Sequence, residues 1–484
     1  MLAAALLAWA GMAFWQTHKP LPEGLHVEGP AVTAAAGDVE FIADITSADA
    51  YGRAILSQAI FDEVLALVRS SRGFLVLDYF LLNGQRGADV QGTPARALSG
   101  ELRDALLERR RTDPQLPVLL LVDPINELYG GAPSPDLALL RAAGVEVVTV
   151  DLDALRDSNY LYSSAWRLLF RWWEGVGAGS EGWLPNPLDE GADEVTLRAW
   201  ARLINFKADH RKVILGEDET GALVGIVGSA NPHDASSAHS NVALKVRGAA
   251  LEPLLASELA IARWSGWRGQ LSHQAEPAPG APPADSTWVQ TLTERAIHDQ
   301  LVSRFAATAR GDAIDIAMFY ISDRDIVDAL LAAAQRGVAV RLILDPNKDA
   351  FGRTKSGIPN RPVASELTSA SDGAIHVRWY RTHGEQFHTK LAVVHGGGRT
   401  WLTLGSANFT RRNLEDFNLE ANVAVEMPHE AAMAEQVREY FETLWANRAP
   451  LGIEYTADYG FYADPASSRY WLYRMMESTG LSTF

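Results

Sequence analysis

The chain has 484 residues, 47% of them hydrophobic, which is enough to bury large cores and to form two to four domains. A net charge of −17 counts against a broad basic surface for nucleic-acid phosphates, although a local basic cleft would override it. The absence of cysteine excludes disulfides, thiolate nucleophiles and cysteine-ligated metals.

Residues 1–20 form an apolar N-terminal segment, and 2–15 (LAAALLAWAGMAFW) carry no charge. The run is shorter than the ~20 residues of a membrane span and lacks the basic start of a signal peptide. A clipped signal peptide, a short membrane anchor and a buried or frayed helix all remain open. From residue 40 onward the pattern becomes α/β. An apolar strand at 74–83 (FLVLDYFLLN) precedes a helical segment at 101–111 with Leu102, Ala105 and Leu106 on one face. A second strand, 118–123 (VLLLVD), a turn, 124–131 (PINELYGG), and a third strand, 145–150, follow. The same order returns later: strand 314–323, helix 325–336, strand 340–345 (VRLILD), turn 346–353 (PNKDAFGR) and strand 376–380. Short apolar strands alternating with helices predict parallel α/β architecture, twice over.

Each repeat then reaches one pair of signals. His210-Arg211-Lys212 precedes Gly-Ser-Ala-Asn at 228–231, and His388-Thr389-Lys390 precedes Gly-Ser-Ala-Asn at 405–408. Either signal alone is weak; the same pair, in order, at one place in two repeats is specific. A Pro-rich stretch, 276–283 (EPAPGAPP), marks a linker at 273–287. It separates repeat 1 (40–272) from repeat 2 (288–450), and an aromatic tail (451–484) is expected to pack back on the body, because disordered tails have few aromatics.

On a strand, residues two apart share a face, so each His lies beside its Lys. Two imidazoles and two ammoniums make a cationic cleft. Ser229, Asn231, Ser406 and Asn408 add hydroxyls and amides suited to a tetrahedral phosphate. One histidine can attack phosphorus while the other protonates the leaving oxygen and then activates water or an alcohol. Lys212, Lys390, Asn231 and Asn408 would hold the non-bridging oxygens. No carboxylate cluster calls for a metal, and no cofactor is expected. His18, His26 and His429 lack these companions and read as ordinary packed or solvated histidines.

At these residues the sequence resembles the phospholipase D superfamily, whose mark is a duplicated H-x-K-x4-D motif followed by G-S-x-N. The stretches at 317–345 and 405–423 resemble bacterial cardiolipin or phosphatidylserine synthase-like members. The resemblance implies two α/β domains related by a pseudo-twofold axis, each with a mixed, largely parallel sheet flanked by helices, and an active site at their interface. The Asp of the motif is replaced by Glu217 in repeat 1 and by His395 in repeat 2. The family's supporting glutamate corresponds to Glu420, and matching Asn241-Val242 to Asn422-Val423 puts His239 in that place in repeat 1. Family precedent assigns His210 as nucleophile and His388 as general acid/base; the residues alone allow the reverse.

Repeat 1 holds about 44 extra residues, near 155–198, a count that rests on the repeat alignment. Here Trp166, Phe170 and Trp173 fall on one helical face beside Arg167 and Arg171, which fits a helix in a membrane interface or an amphipathic helix capping the core. The expected partners are a phospholipid, an alcohol or water acceptor and a membrane surface, with no nucleic acid, for a membrane-associated monomer on the bacterial cell membrane or periplasmic side. The alternatives are a soluble phosphodiesterase or nuclease on the same fold, and a catalytically silent lipid-binding protein.

Overall fold

The structure, a computed structural model, describes residues 1–35, 37–84, 96–171, 182–186, 194–275, 286–350, 353–448, 453–482 and 484. The linker core at 276–283 and Trp173 lie outside the described residues. After the helix Leu2–His18, the chain enters β1 (Val32–Thr33), which crosses to the second sheet. The first sheet holds β2 (Val39–Ala48), β3 (Ala54–Ser57), β4 (Leu75–Tyr79), β5 (Val118–Val122), β6 (Glu146–Thr149), β7 (Lys212–Glu217), β8 (Leu223–Gly228) and β9 (Asn241–Arg247). Its order is β3-β2-β9-β8-β7-β4-β5-β6.

The second sheet holds β10 (Trp288–Thr293), β11 (Ala313–Met318) and β12 (Ala339–Leu344). A small hairpin, β13 (Asp349–Ala350) and β14 (Arg353–Thr354), stands apart. The sheet continues with β15 (Ile375–Tyr380), β16 (Lys390–Gly396), β17 (Arg399–Gly405), β18 (Ala421–Pro428) and β19 (Thr456–Asp458). Its order is β1-β10-β18-β17-β16-β11-β12-β15-β19.

Both sheets are mixed, but less parallel than the strand–helix–strand pattern implies. Parallel pairing is confined to β4-β5-β6 and β11-β12-β15, the strands joined through helices. From the His-x-Lys strand onward, β7-β8-β9 and β16-β17-β18 run antiparallel; the short turns between β7 and β8 and between β16 and β17 permit only a reversal of direction.

Alternation along β4 explains its unbroken apolar run. Leu75 and Leu77 face one core and Val76 faces another, all without exposed surface. The largest core joins residues of both sheets, such as Val213 and Leu391, with the helices Glu252–Trp264 and Ala432–Trp445. The two halves therefore share one interior, which holds the ends of β7 and β16 against each other.

The tail contributes β19 at a sheet edge and the helix Ser467–Thr479, whose Tyr473 is fully buried. In the segment before His210, the helix Tyr160–Ala165 runs into one π-helical turn, Trp166–Phe170. Trp166 is buried against Phe170, and Arg167 is buried in an ion pair with Asp157 (Nε–Oδ2 2.8 Å). Neither faces outward, which at these two positions fits the core-capping alternative rather than the interfacial one. The buried Asp157 carboxylate draws Arg167 inward, while Leu169 and Phe170 remain exposed.

Candidate active site

Strands β7 and β16 begin with Lys212 and Lys390, so each histidine stands two residues before its strand, where the two halves meet. Two isolated bridges lock that meeting point: Asp209 pairs with Leu419, and Ser240 with Phe387. Each joins the residue just before a catalytic-motif histidine to the opposite repeat. Asp123 and Asp345, at the ends of β5 and β12, fix the same segments. Their Oδ2 atoms accept the N–H of Asp209 (2.7 Å) and of Phe387 (2.8 Å).

His210 Nδ1 lies 2.8 Å from Glu420 Oε1, a residue of the other repeat. His388 Nδ1 lies 3.1 Å from Asn241 Oδ1, again across the interface. Asn241 donates through Nδ2 to the His239 carbonyl (3.1 Å), which can only accept, so its Oδ1 must face His388. Both imidazoles thus donate from Nδ1 and expose the Nε2 lone pair. The Ser229 hydroxyl donates to Asn241 (2.9 Å), and the Ser406 hydroxyl to Glu420. The two serines, expected to hold phosphate, instead hold the partners of the histidines.

This places Asn241, not His239, opposite Glu420. Backbone pairing agrees: Ser229 N–H donates to the Val242 carbonyl, and Ser406 N–H to Ala421. The sequence match was misled by the repeated Asn-Val dipeptide, because the connection from Ser229 to Asn241 is two residues shorter than that from Ser406 to Glu420. A slip of two keeps the same strand face. His239 therefore still lies near the centre, its ring 5.8 Å from that of His388.

Behind each histidine sits an aromatic ring that the motif alone does not reveal. Phe80 lies 5.0 Å from His210 and 5.1 Å from Lys212 Nζ; Phe319 lies 4.9 Å from His388 and 5.0 Å from Lys390 Nζ. Phe80 follows β4 and Phe319 follows the matching β11, so laying the two repeats together would have found them, and Asp123 with Asp345. Each lysine also donates to the carbonyl of its own histidine. Asn231 and Asn408 line the chamber; Asn231 Oδ1 accepts the Leu81 N–H at 3.3 Å. Glu217 and His395 lie at the far ends of their strands. Glu217 pairs with His273 (2.5 Å), and His395 is hydrogen-bonded to Thr400 (3.2 Å), so neither reaches the chamber.

Burial sets the electrostatics. It pushes His210 down to about 4, opposed by the Glu420 carboxylate. It pushes His388 well below its ordinary range, reinforced by Lys390, with no carboxylate opposing. Burial raises the Glu420 carboxyl, but His210 and Lys212 outweigh it and hold it ionised. Burial also brings Lys212 down to about 8. Lys212 is charged below that value, so phosphate capture should decline as pH rises through it. An alkaline limb near pH 8 in kcat/KM is expected, and Lys212→Arg, which keeps its charge, should move that limb upward. A limb that stays in place in the arginine variant would rule Lys212 out as its source.

The chamber measures about 400 Å³ and is lined by both histidines, both asparagines, Tyr129, Leu203, Phe206, Tyr320, Lys355, Arg412 and the tail residue Phe484. Arg412 donates to the carbonyls of Gly480 (2.9 Å) and Ser482 (2.5 Å), which draws the tail to the chamber rim. Among the described residues no group of His, Asp and Glu is arranged to hold a metal ion. The set can bind an oxyanion, offer a nucleophilic nitrogen and move a proton.

Residues 303–445 match the family described as "Cardiolipin synthase, PLD-like domain". Cardiolipin synthase B of Escherichia coli K12 is 26% identical over 236 residues, 46% of this chain and 53% of that protein; its Shigella flexneri counterpart is 25% identical over the same length. The chain thus spans about half the length of the curated relatives it matches. Phosphatidylserine synthase of Haemophilus influenzae Rd KW20 superimposes with a TM-score of 0.55 at 11% identity, over 93% of this chain and 94% of that one, which shows a shared fold. Residues 303–445 thus resemble a PLD-like domain, and the chain as a whole, with its two interlocked α/β repeats, is similar in fold to phosphatidylserine synthase.

Proposed function

We propose that this protein is a phospholipase D-type phosphodiesterase or phosphatidyltransferase that acts on phospholipids through a phosphohistidine on His210. The observation that carries the assignment is the unequal backing of the two histidines: a carboxylate behind His210 and a neutral amide behind His388. When Nε2 bonds to phosphorus the imidazole gains positive charge, and Glu420 offsets it. A general acid must instead release its proton readily, and no anion holds the proton on His388.

His210 Nε2 attacks phosphorus, and the P–O bond to the headgroup alcohol breaks. That alcohol leaves with the proton from His388. Neutral His388 then takes the proton of the incoming water or alcohol, whose oxygen forms a new P–O bond as the P–N bond to His210 breaks. Lys212, Lys390, Asn231 and Asn408 would carry the non-bridging oxygens in both steps. The charge of the bound phosphodiester favours protonation of His388, which the empty chamber disfavours.

Phospholipid as substrate draws on the relatives' names, cardiolipin synthase and phosphatidylserine synthase, and on a chamber walled largely by aromatic and aliphatic side chains. A peripheral membrane position draws on the N-terminal helix, which leaves Leu2, Leu7, Phe14 and Trp15 exposed. Among the described residues no helix is long and apolar enough to cross a membrane.

The test is lipid mass spectrometry on protein incubated with mixed phospholipid liposomes, glycerol and ethanol, with His388→Ala as control. New phosphatidyl alcohols or cardiolipin from the wild type alone are expected for a transferase, and phosphatidic acid alone for a hydrolase. An unchanged lipid profile would overturn the lipid assignment and favour soluble phosphodiesters, nucleic acid among them.

A further inference from the structure

Among the described residues, no Asp or Glu side chain lines the chamber wall. Among the described lining residues the charged and titratable groups are Lys207, Lys355, Arg412, His210, His239 and His388, with Glu420 tucked behind His210. Phospholipid headgroups divide by charge: choline and ethanolamine carry an ammonium, whereas polyol and phosphorylated headgroups do not. Proteins recognise ammonium groups by carboxylates or by open aromatic faces. Six aromatic side chains among the described residues line the chamber, and the protein's own cations cover four of them, Phe80, Phe206, Phe319 and Tyr320, but not Tyr129 or Phe484. Lys212 covers Phe80, Lys390 and Lys355 cover Phe319, Lys355 covers Tyr320 (5.0 Å), and Arg412 covers Phe206 (5.4 Å). A substrate ammonium would meet like charge at each of these four rings.

Lys355 is the asymmetric element. Its Nζ donates to the Tyr320 hydroxyl, and its charge also acts on the buried Asp345 carboxyl. It lies at the His388 end: its charge lowers the affinity of His239 for a proton, and His239 packs against His388. The stretch of repeat 1 that matches residues 346–355, residues 124–133 (PINELYGGAP), contains no lysine or arginine. In the reaction proposed above, the alcohol that leaves, and the one that replaces it, occupies the side of phosphorus opposite His210, which is this end.

We infer that Lys355 is a specificity-determining residue that selects headgroup alcohols bearing a negative charge and rejects those bearing an ammonium. The inference rests on the phosphohistidine reading of the preceding section. It names the class of alcohol exchanged at the His388 end: an alcohol carrying a phosphate or carboxylate and no uncompensated cation.

The experiment presents phosphatidylinositol 4-phosphate, phosphatidylglycerol, phosphatidylethanolamine and phosphatidylcholine, each dilute in neutral detergent micelles so that surface charge is matched. Ethanol is added, so that every donor yields one product, phosphatidylethanol, alongside phosphatidic acid. For the wild type, kcat/KM should be at least tenfold higher with the phosphorylated headgroup than with either ammonium headgroup. Lys355→Ala should narrow that ratio, and Lys355→Glu should invert it, with the change in headgroup preference rather than in ethanol incorporation. Equal use of phosphatidylcholine and phosphatidylinositol 4-phosphate by the wild type would overturn the inference, as would a ratio unmoved in Lys355→Glu. Failure to turn over any donor would instead remove the phospholipid reading, and the inference with it.

Discussion

Alanine at either His210 or His388 is expected to lower turnover by at least about 10³-fold, the scale of losing a nucleophile or a general acid. The double variant should be hardly slower than the worse single one, because the two histidines serve one reaction and their effects do not add. Both side chains sit at strand ends facing the chamber, so the fold should survive, as circular dichroism and the denaturant midpoint would show. The two variants should differ in kind. His210→Ala removes the bond-forming nitrogen, whereas His388→Ala still permits slow attack when the leaving alcohol is a good one, such as p-nitrophenol. Glu420→Gln should fall between them, since it leaves the hydrogen bond to Nδ1 but removes the charge that offsets the phosphohistidine. Substantial residual turnover of a natural lipid by His210→Ala would overturn its assignment as nucleophile.

The second large effect lies in stability. Arg211, between the two motif residues, points away from the chamber and has no exposed surface. Its guanidinium donates to Glu258 (3.0 Å) and Ser257 (3.0 Å) on the helix Glu252–Trp264, and to Glu294 (2.6 Å) in the other repeat. Glu294 Oε1 also accepts the backbone N–H of Glu420 (3.1 Å). One buried cation thus ties the repeats together and anchors the carboxylate that backs His210. Asp78 and Asp209 are buried beside it. Burial first, and Asp209 next, hold the Asp78 carboxyl well above its usual range, and burial brings Asp209 up to about 7. With most of its neighbours acidic, the cluster depends on Arg211. Arg211→Met should cost about 3–5 kcal/mol, the usual loss when one partner of a buried ion pair is removed. Arg211→Lys should restore little, because an ammonium cannot span Glu258 and Glu294 as the planar fork does. A denaturant midpoint unchanged in Arg211→Met would show that the cluster contributes nothing net to the fold.

How much of this was legible in sequence depends on the range of each interaction. The His-x-Lys and Gly-Ser-Ala-Asn pairs are local signals repeated at nearly one spacing, and four of their residues, His210, His388, Asn231 and Asn408, line the chamber, while Lys212 and Lys390 are buried against the carbonyls of the two histidines. The function of Ser229 and Ser406 was misjudged, since a hydroxyl in such a turn can face either phosphate or the neighbouring strand. The partner of His388 was misassigned because connections of unequal length hide which residue reaches across. The lysine that covers two rings from the β13–β14 side, Lys355, and the tail residue Phe484 reach the chamber from distant sequence, and no periodicity could announce them. The buried position of Trp166 likewise depended on Asp157 drawing Arg167 inward, a contact that a helical wheel does not contain.

The central claim is a covalent phosphoenzyme on His210. The direct measurement is rapid acid-free quenching of His388→Ala after mixing with a lipid analogue that has an activated leaving group, followed by intact-protein and peptide mass spectrometry. Transfer of the phosphatidyl group from His210 to water or alcohol needs His388 as base, so an acid-labile phosphatidyl adduct is expected to accumulate, with its P–N bond stable to base and confined to the peptide carrying His210. An adduct on His388 in the reciprocal His210→Ala protein would contradict it. So would product release from His388→Ala with no adduct on any histidine.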